Sequence, residues 1–291
     1  IGFYYQATDT NNTTNLGRYY VAEWGASLGI GTSNLALTRP LIIDADSMSV
    51  FATMTFFLSD KLHVTTGLRH TDVDKDYRRT GGIGLNGTHI FDDFNLDFAH
   101  EGEGTLAQDS YSESATLPSL MIQYFRDENS MIYASYSDGF KAGGYEGLET
   151  ANPNNGAYNS EGVDATEFGY KTSSEKMKLA VNYFNSKYDG NQLSQYVYPE
   201  MGAPYTTTSN VPSTNKGFEL ELSYLISDSV MADLSFTKLD ATYDNYEGGT
   251  CAAGVSPPTG QTGCNYTGRT LLHAPENTGL FTLSSENEMS G

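Results

Sequence analysis

The chain has 291 residues, and its 16 Lys plus Arg against 36 Asp plus Glu give a net charge of -20, which repels phosphate backbones and anionic headgroups and excludes nucleic acid as a partner. Only 38% of residues are hydrophobic, yet there are 21 Tyr, 14 Phe and 30 Gly, a mixture of rings in a polar chain that suits strands better than helices. No run approaches the ~18 to 20 apolar residues of a membrane helix, but a mean hydropathy of -0.42 does not exclude strands that present only alternate side chains to lipid.

The start, Ile1-Gly-Phe-Tyr-Tyr5, carries no basic segment followed by an apolar run and a cleavage site. The chain is therefore expected to be an internal portion of a longer protein. A first strand is predicted from Ile1 to Ala7, followed by a long loop over 8–46 with a possible strand around Tyr19 to Leu28. From Ser47 to Ser59, one face carries Met48, Val50, Ala52, Met54, Phe56 and Leu58 and the other Ser49, Phe51, Thr53, Thr55 and Phe57, which is strand periodicity. The polar turn Ser59 to Lys61 then leads to a second alternating run over 62–74, giving a hairpin.

The polar stretch 75–110 contains Arg78 and Arg79, which could attract the anionic groups of a ligand. Asp72, Asp74 and Asp76 begin like a calcium loop, but Tyr77 stands where the sharp turn needs Gly, so at most an irregular calcium site is expected there. Gly82-Ile-Gly-Leu-Asn-Gly87 matches a dinucleotide fingerprint without the strand-to-helix context that makes such glycines work. Gly25-Ala-Ser-Leu-Gly29 matches a nucleophile elbow with no apolar strand before it and no helix after it. No catalytic residue and no metal centre of regular spacing is expected.

Further strands are predicted at 111–126, 129–138, 161–172, 176–188, 213–226, 229–243 and 276–286. The cleanest is Gly217 to Ile226, where Phe218, Leu220, Leu222 and Tyr224 oppose Glu219 and Glu221, as suits a strand between lipid and a watery lumen. Short turns at 59–61, 126–129, 172–176 and 226–229 alternate with long polar stretches at 75–110, 139–161, 189–212 and 244–275. Repeated long loops on one side, joined by tight turns on the other, point to an all-β chain: about ten antiparallel strands of a transmembrane β-barrel, with periplasmic turns and extracellular loops. Loop tyrosines at Tyr145, Tyr158, Tyr196, Tyr198 and Tyr205 could stack on a ligand, although rings also anchor barrels at the interfaces. Cys251 and Cys264 share one Gly/Pro/Thr-rich loop with no partners for a zinc site, and a local disulfide is expected.

The segment Met131-Ile-Tyr-Ala-Ser-Tyr-Ser-Asp-Gly-Phe-Lys-Ala-Gly-Gly-Tyr145 resembles the stretch of TonB-dependent receptors where a strand ends in Gly-Phe-Lys and enters an outer loop. Val64-Thr-Thr-Gly-Leu-Arg-His70, Thr166-Glu-Phe-Gly-Tyr-Lys171, Lys216-Gly-Phe-Glu-Leu-Glu221 and His273-Ala-Pro-Glu276 resemble the same barrel in the same order. The resemblance implies an outer-membrane barrel of roughly 22 strands, of which the plug, early strands and closing strands lie outside this chain. It also implies active import of a scarce nutrient, first of all a ferric siderophore or other iron complex, with no enzymatic activity. The implied partners are a small metal chelate, outer-membrane lipid and lipopolysaccharide, and the TonB complex through the plug. Two alternatives stand: uptake of a vitamin or carbohydrate by the same family, and a surface β-sandwich acting as an adhesin or carbohydrate-active domain.

Overall fold

Small polar groups punctuate the apolar runs, and each closes a tight turn. In the computed structural model, which describes residues 1–16, 35–79, 82–85, 88–91, 107–145, 157–197, 205–252, 254–261 and 263–285, every described regular element is a strand. Ten are long: β1 Gly2–Leu16, β2 Leu35–Phe57, β3 Leu62–Arg79, β6 Ala107–Asp127, β7 Ser130–Lys141, β10 Glu161–Ser173, β11 Met177–Val197, β12 Tyr205–Ser227, β13 Val230–Tyr243 and β14 Asn277–Ser285. The others are short: β4 Gly82–Leu85, β5 Thr88–Phe91, β8 Gly144–Tyr145 and β9 Ala157–Tyr158. The fingerprint-like glycines 82 and 84 thus sit in a β4–β5 hairpin rather than before a helix.

The long strands pair as neighbours in an antiparallel sheet, with β1 against β2 at one side and β14 against β13 at the other. No ladder joins β1 to β14 among the described residues, so the sheet is open. Tight turns are made by the residues between β2 and β3, β6 and β7, β10 and β11, and β12 and β13; Ser59 accepts from the Leu62 amide through its hydroxyl at 3.0 Å and Ser174 does the same for Met177 at 3.1 Å.

The ladders place one apolar side chain from each strand on a common face. Phe56, Val64, Ile122, Ala134, Phe168, Tyr183 and Phe218 form one cross-strand row from β2 to β12 and continue to Lys238 on β13. That row starts beside the tight turn in β2 and reaches the far end of the apolar run by β13, which is the stagger that tilted strands of a barrel require. Phe168 and Tyr183 in that row are exposed at 59% and 51%, and Phe281, on the same face of β14, at 65%. An apolar face bare on all ten strands is not the interior of a sandwich, where it would be packed away. It is the outward face of a partial barrel.

The opposite face carries apolar groups such as Phe51 and Phe57 near the turns but is mainly polar and internally bonded. Arg69 donates to Ser49 at 2.9 Å and to Thr71 at 3.0 Å, Asn182 donates to Glu219 at 3.1 Å, and Tyr133 donates to Glu167. Ser49 and Thr71 are buried there, so their mutual hydrogen bond of 2.9 Å offsets a desolvation cost of about 1–3 kcal/mol.

Several strands run further from the turns than their sequence indicates. Residues 8–16 and 35–46 belong to β1 and β2, 75–79 to β3, 107–110 to β6, and most of 189–212 to β11 and β12 around a bulge between Tyr188 and Asn191. The physical reason is that both faces of these extensions meet water or other loops. The alternation that marks a half-lipid strand is lost, while the backbone ladder continues. The proposed strand at 19–28 lies outside the described residues.

Candidate functional site

Two connections fold back over the polar face at the end away from the tight turns. The first runs from β7 to β10 and contains the β8–β9 hairpin. Tyr145 on β8 stacks on Tyr77, with ring centroids 4.6 Å apart at 29°, and both are buried at 7% and 2% exposure. Tyr77 is in phase with Arg69 and Thr71 along β3, which fixes the hairpin to the polar side. Lys75, also in phase, donates to the Gly143 carbonyl, and the Gly143 amide donates to Tyr111 at 3.2 Å. A Cβ at Gly143 would meet the Tyr158 carbonyl oxygen at 2.4 Å, so the close approach requires glycine. The far flank is held by amides: Gln192 donates to Ala142 O at 3.1 Å, and Asn210 donates to Ser160 O at 3.0 Å.

Burial raises the phenol of Tyr145 to about 12, helped by the nearby charge of Asp109. Burial likewise lowers the Lys75 ammonium, with Lys141 repelling it and Glu113 acting the other way.

The second connection, between β13 and β14, is closed by the Cys251–Cys264 disulfide, with Cα atoms 5.1 Å apart. Gly249 and Cys264 exchange backbone hydrogen bonds of 3.0 and 2.8 Å beside it. The loop docks by its rings: Tyr243 to Tyr246 is 5.1 Å and Tyr246 to Tyr266 is 5.5 Å between centroids, packed with Val211, Leu193 and Leu271. Val211 is in phase with Glu219 along β12, which places this cluster on the polar face as well. Gln195 on β11 is the fixed point, since its carbonyl accepts from Tyr246 OH at 2.9 Å and from the Thr250 amide and hydroxyl at 3.0 and 3.1 Å.

Between loop and sheet lies a cavity of about 540 Å3, lined by Leu193, Gln195, Tyr243, Tyr246, Thr250, Tyr266, Arg269 and Leu272. It offers stacking faces, amide and hydroxyl groups, and one permanent cation, Arg269. Burial raises the Tyr246 phenol, with Tyr243 and Tyr266 adding to the shift, so that ring stays neutral at physiological pH. Such a site can hold a planar or ring-bearing molecule with an anionic group. Among the described residues that line it there is no paired acid and base.

The residues proposed from sequence separate into three groups. Cys251 and Cys264 are bonded as expected. Tyr145 is packed under its hairpin, and Arg78 is exposed and out of phase with Tyr77 on β3, so those two do not converge. Arg79, Tyr196 and Tyr205 belong to β3, β11 and β12 by backbone, but their side chains, and Tyr198 entirely, lie outside the described residues. Asp72, Asp74 and Asp76 are alternate residues of β3 rather than a loop, because the strand runs on to Arg79. No group of three or more His, Cys, Asp or Glu able to hold a metal exists among the described residues. Tyr243, Tyr246, Tyr266 and Arg269 were not singled out by sequence; the one signal available was the cysteine pair that closes their loop.

A family model described as TonB dependent receptor-like, β-barrel, matches residues 1–285. Among solved structures, the chain is similar to the ferric yersiniabactin uptake receptor FyuA of Yersinia pestis, with TM-score 0.60 and 15% identity over 86% of this chain and 32% of that one. It is similar to the siderophore receptor PiuA of Acinetobacter baumannii, with TM-score 0.53 and 16% identity over 87% and 32%. It is also similar to the Serratia marcescens hemophore receptor HasR, solved with its hemophore HasA and heme, with TM-score 0.54 and 15% identity over 98% and 49%. At these identities the likeness is one of fold. The chain spans about a third to a half of the length of these receptors. No match is found among curated protein sequences.

Proposed function

Because the chain belongs to the TonB-dependent receptor family, we propose that it forms part of an outer-membrane receptor importing a scarce nutrient, with a ferric siderophore or another iron complex as the first candidate ligand. The observation that carries this reading is the pairing of a bare apolar face on all ten long strands with an aromatic, Arg-bearing cavity at the loop end. The band meets lipid, the tight turns face the periplasm, and the docked loops surround the outer mouth. Ligand selection then needs no bond-breaking chemistry. Tyr243, Tyr246 and Tyr266 supply stacking surface, and Arg269 attracts the anionic groups that a metal chelate carries. Release into the periplasm would be driven through a plug domain engaged by the TonB complex.

The test uses the full reading frame containing this chain, purified from outer membranes and titrated with ferric siderophores, haem, a cobalamin and neutral oligosaccharides. Binding of an iron complex that weakens at least about tenfold in Tyr246→Ala and Arg269→Ala, a loss of about 1.4 kcal/mol each, supports the proposal. Binding confined to oligosaccharide or cobalamin would move the protein to another branch of nutrient uptake. Iron-complex binding untouched by either substitution would remove the cavity from the ligand path.

A further inference from the structure

The sheet is not continuous to the top of its strands. β6 pairs with β7 only between Asp127↔Ser130 and Ser119↔Ser137, although β6 itself runs on to Ala107 and stays paired with β3 as far as Arg79. β7 ends at Lys141, and its chain turns onto the polar face, where Lys75 and Tyr111 hold Gly143. Had the register continued, Lys141 would face Ala115, so the β7 side of β6 from Ala107 to Ser114 has no strand against it among the described residues. A cavity of about 940 Å3 opens at the fork, walled by Leu117, Pro118 and Ser119 on one limb and by Asp138, Gly139 and Phe140 on the other.

The two long strands that flank this notch differ. β11 likewise outruns β10, whose ladder with it ends at Val163↔Tyr188, but there the gap is sealed: the Gln192 amide donates to Glu161 at 2.8 Å, and the Asn210 side chain donates to Gly190 O at 3.0 Å. β6 is left bare. From Ala107 to Leu117 it holds no Lys, Arg or Pro, and its ladder with β3 has no register break, so the lysines, prolines and bulges that usually blunt a free edge are missing. Its outward residues Ser110, Ser112, Ser114 and Thr116 are small exposed hydroxyls, and the Ser110 amide bonds to the adjacent Asp109 carboxylate at 2.9 Å.

Counted from Asp127, Ser114 is thirteen residues up the strand and Ala107 twenty. At about 3.3 Å per residue and a tilt of about 40°, that is roughly 33–50 Å, clear of an apolar band about 25 Å tall, so a partner meets this edge in water. The notch is acidic. Asp109 and Glu113 stand on β6, Asp138 and Asp164 are directly opposed near the tops of β7 and β10, and Asp189 lies beside them. The lysines there are already matched: Lys75 by the Gly143 carbonyl and Glu113, Lys141 by Glu161 across the ladder, Lys187 by Asp164 across the next. Asp109, Asp138 and Asp189 remain without a facing cation among the described residues. The connections 92–106, 146–156 and 198–204 add acid and no Lys or Arg, so none of them matches the notch in charge.

We infer that the free edge of β6 from Ala107 to Ser114 is a docking site for an extended, Lys- or Arg-bearing segment of a partner polypeptide, which adds as a strand beside β6. Backbone hydrogen bonds to the edge supply affinity, the small hydroxyls leave room for the outward side chains of the added strand, and its alternate inward side chains meet Asp109 and Asp138. The site is separate from the tyrosine cavity and takes a protein or peptide rather than a small nutrient. The inference rests on the loop end lying outside the membrane, and not on which nutrient the cavity holds.

The experiment uses the full reading frame purified from outer membranes and a capped, fluorescent twelve-residue peptide that alternates Lys with Thr or Val. The peptide is expected to bind and to slow amide exchange in β6 above the fork, while a copy N-methylated at every amide and a copy with Glu for Lys bind at least about tenfold more weakly. Ser110→Lys/Ser114→Lys, which gives the edge the cations it lacks, and Asp109→Asn/Asp138→Asn are each expected to weaken binding by a similar factor. Ser110→Thr/Ser114→Thr, and Glu128→Gln/Glu175→Gln at the opposite tight turns, are expected to bind as the parent does. Heat-modifiable electrophoretic mobility shows that each variant is assembled. Absence of peptide binding, equal binding of the N-methylated or Glu peptide, unchanged exchange in β6, or indifference to the Ser→Lys pair would overturn the site. Titration of the same samples with iron complexes tests the nutrient reading separately, and its failure there would leave the peptide result standing.

Discussion

At the scale of single residues, phase along a strand decides what each side chain does. Leu220 lies in the middle of the β12 apolar run, opposite Val181 and Phe236, on the face that carries the exposed Phe218. Leu220→Arg places a guanidinium near the bilayer midplane at a cost of about 2–4 kcal/mol. The expected outcome is a marked fall in assembled, heat-modifiable protein, whereas Glu219→Gln, one residue away on the polar face, should assemble normally. Normal assembly of Leu220→Arg would remove this face from lipid. Tyr145 makes a second test. Its phenol is raised to about 12 by burial and by Asp109, so the folded state favours the neutral ring. The sign follows directly. The stabilisation from this group is complete below the ordinary phenol value near 10 and is lost as pH rises through about 12. Ultraviolet tyrosinate titration of Tyr145→Phe against the parent should delete a late-titrating phenol; loss of one that ionises near 10 would contradict the buried stack.

At the scale of elements, the loops are held by few but specific ties. The disulfide closes a separation of 13 residues, and in the chain-entropy account such a crosslink stabilises by roughly 3 kcal/mol. That stabilisation is local, because the loop reaches the sheet through Gln195, the tyrosine cluster and the backbone bonds of Tyr243 and Leu271. Cys251→Ser/Cys264→Ser should therefore raise amide exchange across 244–271 and weaken ligand binding, while protection in β11 to β13 stays as it was. Unchanged exchange in the loop would mean that the tyrosine cluster alone fixes it. The β8–β9 connection has no such covalent clamp. Its rigidity comes from the Tyr77–Tyr145 stack, the Lys75 bond to Gly143, and the two amide side chains of Gln192 and Asn210.

At the scale of the whole molecule, ten long strands in an open sheet leave one side of β1 and one side of β14 without a ladder among the described residues. In lipid, each unpaired backbone group costs several kcal/mol, and in water the same rows template association. The 291-residue chain expressed by itself should accordingly aggregate or fail to insert, and the full reading frame should insert and show heat-modifiable mobility. A monodisperse, membrane-inserted species of this chain alone would show that β1 and β14 find each other after all.

The division between sequence and tertiary structure follows from where each signal resides. The ten strands, the tight turns, the two faces and the family were all legible in the chain, because a strand with lipid on one side and water on the other must alternate, as Phe218 to Tyr224 does around Glu219 and Glu221. The Cys251–Cys264 bond was legible because the two cysteines share one short loop. The upper limits of β1, β2, β11 and β12 were not, since beyond the membrane both faces are wet and no alternation is required. Nor was the site. Tyr243 ends a strand, Tyr246 and Tyr266 flank a crosslinked loop, and Leu193 and Gln195 lie two strands away. Only the β11–β12–β13 ladder and the inward fold of that loop bring them around one cavity.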